Sequence, residues 1–224
     1  MIAVALLVVA VAVVGGVVLF GGNGGGPTTN PSGGGTGVAP STPDLTFKVE
    51  KVLAIPVIPK QSPKKLAAAA TAAGDQAVDV IDTIYTEGFL DPSSWNGGNY
   101  DDAWTQFTDD AATQAEADAD ALTAGPAAGD AYTTIEPAKA TLKPRVLMDP
   151  AGKALSVEAV VTFWAKGTHD DGSFTLFKST GSFFLRHDGS TWKVVAFDVH
   201  RDDTERPAPS ASGSPSPGST GSPS

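Results

Sequence analysis

The chain has 224 residues, no cysteine, and 25 acidic against 15 basic side chains, a formal net charge of -10 at pH 7. That balance leaves no Lys/Arg stripe to neutralise phosphates, which excludes a nucleic-acid partner. The missing thiols exclude disulfides, thiolate metal sites and a lipid-modified cysteine, and the acidity disfavours docking on anionic lipid while serving solubility.

Ile2 to Phe20 is an unbroken run of Ala, Val, Leu, Ile, Gly and Phe without an ionisable side chain. As a helix rising about 1.5 Å per residue it would span roughly 28 Å, close to the roughly 30 Å of a bilayer core. The segment 1–20 is therefore expected to be a transmembrane signal-anchor. Three features favour an anchor over a cleaved signal peptide: the run is longer than a usual h-region, no basic stretch precedes it, and Ala10 and Ala12 lie inside it rather than after it. No Lys or Arg appears before Lys48, so the positive-inside rule has only the terminal amine to act on. The expected placement is the cell membrane, single-pass, with the C-terminal domain extracytoplasmic.

Residues 21–44 are rich in Gly, Pro, Ser and Thr and read as a flexible linker, with a random-coil span of about 25 to 30 Å. Gly33-Gly34-Gly35-Thr36-Gly37 has no strand before it and no helix after it, which argues against a phosphate loop. Residues 207–224, PAPSASGSPSPGSTGSPS, are expected to be disordered. One domain of ordinary size, 45–206, remains between them.

Within it, Leu45 to Ile55 alternates and reads as extended, placing Phe47 and Val49 on one face, until Pro56, Pro59 and Pro63 interrupt it. Ser62-Pro63 is a helix start, with serine as N-cap and proline at the first helical position. A helix from Pro63 to about Glu87 would bury Ala73, Ala77, Val80, Ile81 and Ile84 and would let a partner element approach its alanine-rich first half. Residues 89–98 read as a loop. A short helix follows over Tyr100 to Phe107 with Trp104 and Phe107 on one face, and a third covers Asp109 to Leu122, its first-turn acids suiting the helix dipole. The acids from Asp101 to Asp120 lack the spacing of an EF-hand loop and read as a solvated face.

The period then changes. Ile135 to Met148 is a strand that Pro137 and Pro144 demote to an edge. Leu155 to Lys166 alternates, with Leu155, Val157, Ala159, Val161 and Phe163 on the apolar face. Asp170-Asp171-Gly172 turns the chain, and Phe174 to Arg186 and Trp192 to His200 follow as strands joined across Asp188-Gly189-Ser190. Helices first and an antiparallel meander afterwards predict an α+β fold with three N-terminal helices on one face of a curved sheet.

The three leading helices and the closing hairpin Phe183-Phe184-Leu185-Arg186-His187-Asp188-Gly189-Ser190-Thr191-Trp192-Lys193-Val194-Val195 resemble the nuclear transport factor 2-like superfamily over roughly Pro63 to Asp203. The layout is similar in particular to membrane-anchored extracytoplasmic accessory proteins of bacteria such as the Mce-associated group. The resemblance implies a cone whose helices and sheet enclose a pocket. Enzymes of that superfamily such as ketosteroid isomerase use an aspartate base with a tyrosine or protonated acid as oxyanion donor, a set without a residue-by-residue counterpart here.

Catalytic candidates are Tyr85, Tyr100 and Tyr132 as oxyanion donors and Asp198 as base, provided the fold brings them together. Asp198, His200 and Asp202 on one strand face, with His169, would be a metal site if assembled, against the simpler reading of a polar rim. Trp164, Trp192, Phe163, Phe177, Phe183, Phe184 and Phe197 are expected to line core and pocket. The candidate pocket and rim residues are thus Tyr85, Trp104, Trp164, Asp198 and His200. No nucleophile elbow occurs and no cofactor is expected. The function expected is a membrane-tethered, non-enzymatic binding or scaffolding module that recruits an envelope protein or a small apolar ligand; the alternative is a small-molecule enzyme of the SnoaL or ketosteroid isomerase kind.

Overall fold

The computed structural model describes residues 41–58 and 61–209. The apolar run, the linker through residue 40 and the tail from residue 210 lie outside them, and among the described residues no helix is long and apolar enough to cross a membrane.

Helix α1, Pro63–Tyr85, begins where Ser62-Pro63 directs it, although the Ser62 hydroxyl makes no capping bond. Its inward stripe is the expected one: Ala73, Ala77, Val80, Ile81 and Ile84 are all buried. The chain leaves α1 through a π turn, Thr86–Leu90, closed by the Asp91 amide on the Thr86 carbonyl at 2.8 Å. Four short helices and one of nine residues follow: α2 (Pro92–Gly97), α3 (Asp101–Trp104), α4 (Asp109–Ala117), α5 (Ala119–Leu122) and α6 (Ala128–Ala131). The stretch expected as a loop contains α2, because Asp91 caps it by accepting the Ser93 amide at 2.9 Å with Pro92 at the first turn. The helix expected over Asp109 to Leu122 breaks at Asp118 into α4 and α5.

Among the described residues six strands form one mixed sheet rather than the purely antiparallel one expected. They are β1 (Lys48–Val49), β2 (Leu53–Pro56), β3 (Thr134–Met148), β4 (Ala154–Thr168), β5 (Phe174–Asp188) and β6 (Thr191–Arg206). β3 to β6 make an antiparallel meander, and β1 and β2 run parallel to β3 on its other side. β3 is therefore not an edge. β1 covers Thr141 and Leu142 and β2 begins at Arg145, so Pro144, which has no N–H to give, falls in the gap between them. Pro137 sits at a register shift outside the reach of β1.

One sheet face is packed under the helices. Leu142, Val146, Val157, Val161, Phe163, Phe177, Phe183, Leu185 and Val194 are at most 1 % exposed and join the α1 stripe in one core. The register places Thr162 opposite Thr180 and Trp164 opposite Lys178 on the other face. Leu155 departs from its expected side: β3 and β4 shift register between Leu147 and Met148, and Leu155 is left in the bulge, 43 % exposed. Two glycines permit close approaches. A Cβ on Gly74 would lie 3.2 Å from Val52 and 3.4 Å from Pro144, so α1 descends onto the β2–β3 gap, and a Cβ on Gly181 would lie 2.1 Å from the Asp198 carbonyl oxygen, so β5 and β6 meet there with no room for a side chain.

Candidate functional site

The five residues singled out in the sequence do not converge. Tyr85, at the end of α1, is 1 % exposed and bonds Ser179 Oγ on β5 at 2.7 Å. Rings of Phe47, Phe89, Phe163 and Phe183 surround it at centroid distances of 5.3, 5.7, 4.7 and 6.1 Å. Burial pushes its phenol well above the ordinary value of 10.0, and the bond to Ser179 offsets only part of that. A phenol in this environment stays neutral and packs; the space between α1 and the sheet is occupied by side chains. Trp104 is buried on the same side, edge-on to Tyr100 and Phe107, and Phe107 passes the cluster on to Phe183 and Phe197.

Trp164, Asp198 and His200 stand on the other side of the sheet, which corrects the expectation of Trp164 and Phe184 as core or pocket lining. The alternation is strict. Phe163 and Ala165 point under the helices while Trp164 between them is 40 % exposed, and Phe183 and Leu185 flank Phe184, also 40 % exposed. The bulge that shifts register after Phe184 reorients Val195 and Ala196, and Asp198, His200 and Asp202 follow on the exposed side of β6.

Cross-strand rows assemble this open face: Val160–Ser182–Asp198, Thr162–Thr180–His200 and Trp164–Lys178–Asp202. Lys139 places its ammonium 5.0 Å from the Trp164 ring centroid. Arg145 and Glu158 pair at 3.1 Å, Ser182 donates to Glu158, and His200 lies 3.4 Å from Asp198. Asp198 and His200 keep 78 % and 81 % of their side-chain surface in solvent, so their pairing contributes little to stability. Leu53, Ile55 and Leu147 extend the apolar part of the face toward the β2 edge. Threonines, serines, paired charges and protruding Trp, Phe and Leu side chains thus share this open face.

His169, Asp198, His200 and Asp202, weighed in the sequence as a metal set against the simpler reading of a polar rim, are not brought together. His169 lies in the β4–β5 hairpin, its Nδ1 2.7 Å from the Ala131 carbonyl oxygen and its Nε2 2.9 Å from Thr175 Oγ1, with the Tyr132 ring at 4.9 Å. Among the described residues no group of three His, Asp or Glu is placed to hold a metal ion. Tyr100 donates to the Gly125 carbonyl at 2.7 Å, and Tyr132 packs edge-on to Phe177 at 5.3 Å, so the three tyrosines serve three separate packing contacts.

Sequence reasoning missed Arg201 and Asp82. Arg201 binds the Thr123 carbonyl, pairs with Asp203 at 2.8 Å and lies 5.5 Å from the Phe177 ring, fastening β6 to the end of α5. Asp82 on α1 accepts the Phe47 amide at 3.1 Å and holds the entering chain against the helix. Neither carries a sequence signal, since each acts on a backbone group many residues away. No protein-family model matches the chain, and no curated protein does.

Proposed function

We propose that this chain is a membrane-tethered, extracytoplasmic binding or scaffolding module of the nuclear transport factor 2-like kind, which recruits an envelope protein through the open face of its sheet and carries out no reaction of its own. The observation that carries the reading is the division of labour between the two sheet faces. On the helix side the aromatic rings around Tyr85 occupy the interior that a superfamily enzyme would keep for substrate. On the other side Trp164 and Phe184 stand in solvent among threonines and paired charges, a composition suited to a polar-rimmed protein contact. The anchor and stalk rest on the uncharged run Ile2 to Phe20 and the Gly/Pro-rich stretch after it. An isomerase-like enzyme requires a base beside its oxyanion donor, whereas Asp198 is on the opposite side of the sheet from Tyr85.

Hydroxyl-radical footprinting tests the reading. In the purified full-length chain, Trp164 and Phe184 should be oxidised readily; in intact cell envelopes both should be protected. Equal oxidation in the two settings would remove the open face as a partner surface.

A further inference from the structure

The formal charge of -10 is unevenly spread. Residues 48–65 carry five lysines against one acid, Glu50. Of these, Lys51, Lys64 and Lys65 are exposed, and so is Lys153 in the β3–β4 turn. Gln61 donates to the Pro150 carbonyl at 2.6 Å, and a Cβ on Gly152 would lie 3.5 Å from Leu66, so the start of α1 rests against that turn. Among the described residues none of these four lysines is in an ion pair. The turn's own acid, Asp149, accepts the Lys153 amide at 2.7 Å, and the adjacent β5–β6 turn holds Asp188 between Arg186 and Lys193. Acids gather at the other end of the sheet, Asp170 and Asp171 in the β4–β5 turn and Asp202, Asp203 and Glu205 at the end of β6. The 15 residues of β4 separate the two ends, roughly 50 Å at about 3.3 Å per residue. Charges are screened over about 8 Å at physiological salt, so a surface that meets the lysine end does not sense the acidic one.

The same end carries aliphatic side chains that the core does not take. Leu53, Ile55, Val57, Ile58, Leu147 and Leu155 are 36 to 50 % exposed. The register sets Ile55 beside Leu147, and the Val57 amide bonds the Met148 carbonyl at 3.0 Å. Among the described residues β2 pairs only with β3, so the apolar strip follows an open strand edge to the β3–β4 turn. Its residue types are not those of a protein contact, whose hot spots draw on Trp, Tyr and Arg and whose buried core sheds Lys. Leu, Ile and Val ringed by lysines suit a lipid interface instead: the aliphatic groups enter the acyl boundary while the lysine stems reach outward and leave their ammonium groups at the phosphates.

We propose that this end of the domain, the β2 edge with the β3–β4 turn and the first turn of α1, docks on the surface of an anionic lipid bilayer. The net charge of the chain disfavours such a surface, but the charge that meets it is local and positive. This contact goes beyond recruitment of an envelope protein and uses a different part of the fold, since Trp164 lies further along β4 toward the acidic end and stays clear for that partner. It is read from the folded domain and does not depend on the apolar run Ile2 to Phe20.

The chain has no cysteine, so one introduced thiol takes one fluorophore. Full-length Ile58→Cys and, at the acidic end, Asp170→Cys are labelled with the environment-sensitive dye NBD. Each is reconstituted into vesicles of phosphatidylcholine alone or mixed with phosphatidylglycerol, with and without nitroxide-bearing lipid. In the mixed vesicles the label at position 58 should shift to the blue and be quenched by the nitroxide, while the label at position 170 stays as in water. In phosphatidylcholine alone both should stay as in water. Each lysine near an anionic surface is worth about fivefold in partition, so Lys64→Gln together with Lys65→Gln should lower the ratio of docked to free domain about 25-fold. Flotation with the phosphatidylcholine vesicles reads the anchor separately: a chain that fails to float there removes the tether, while quenching in the mixed vesicles still decides the docking surface. A label at position 58 that stays aqueous in mixed vesicles, equal quenching in neutral ones, equal quenching at position 170, or indifference to the lysine substitutions would each overturn the proposal. A blue shift without nitroxide quenching would give the strip to a second copy or another protein, and would overturn it too.

Discussion

Asp82 sits half-buried on α1 with the Phe47 amide bonded to one oxygen. Burial raises its carboxyl above the ordinary 3.8, the Phe47 bond lowers it, and neighbouring Asp79 raises it further, with a net rise. The folded chain therefore holds this proton more tightly than the unfolded chain, so the associated stability is present below the ordinary value and is lost as pH rises through the raised one. Asp82→Asn keeps an acceptor for the Phe47 amide without the desolvated charge. Urea midpoints should show the Asn variant gaining on the parent at neutral pH, with the gain shrinking on acidification below the ordinary carboxyl range. Asp82→Ala should instead lose about 1 to 3 kcal/mol, since it leaves that amide unpaired. An Asn variant that loses as much as the Ala variant would assign the stabilisation to the charge rather than to the acceptor. Residues of this kind were not legible in the sequence. The helical period marks Ile84 as buried and places Asp82 off the apolar stripe, but nothing local announces a bond from Asp82 to an amide 35 residues earlier or from Tyr85 to a hydroxyl 94 residues later.

At the scale of elements, strand parity decides what each substitution costs. Val161 is 1 % exposed under α1, while Thr162 beside it faces outward between Thr141 and Thr180. Val161→Asp buries an unpaired charge and should cost roughly 3 to 5 kcal/mol; Thr162→Asp should cost about 1 kcal/mol, the strand-propensity difference. Thermal unfolding of the pair measures this, and equal losses would contradict the register. Parity was readable wherever alternation is uninterrupted, as in Val157 to Phe163, and α1 was readable from its stripe and its Ser-Pro start. It failed where a bulge intervenes, at Leu155, and where both parities carry aromatics, at Trp164 and Phe184, because hydrophobicity alone does not say which ring faces the helices. The start of α2 was legible in principle, since Asp91-Pro92 repeats the cap-and-proline logic of Ser62-Pro63. Pro144 misled for a topological reason: two short parallel strands with a gap between them satisfy a central strand that contains proline, and the gap cannot be seen from β3 itself.

For the whole molecule, the expectation of an α+β arrangement holds, with helices on one face of a sheet whose first two strands run parallel to the third. The candidate site was only partly legible. Composition and spacing picked out Trp164, Asp198 and His200 as unusual, yet whether they line an interior or stand on an outer face depends on the cumulative parity of three strands and one bulge. The structure places them outside and fills the interior around Tyr85, which turns attention from a pocket to a surface. The most direct measurement of that claim is a site-specific photo-crosslinking scan of the full-length chain in living cells, with the crosslinker at Trp164, Lys178 and His200 on the open face and at Asp110 and Glu116 on the exposed side of α4. The account predicts one discrete crosslinked species from the three sheet positions and none from α4; crosslinks confined to α4, or none from the sheet face, would contradict it.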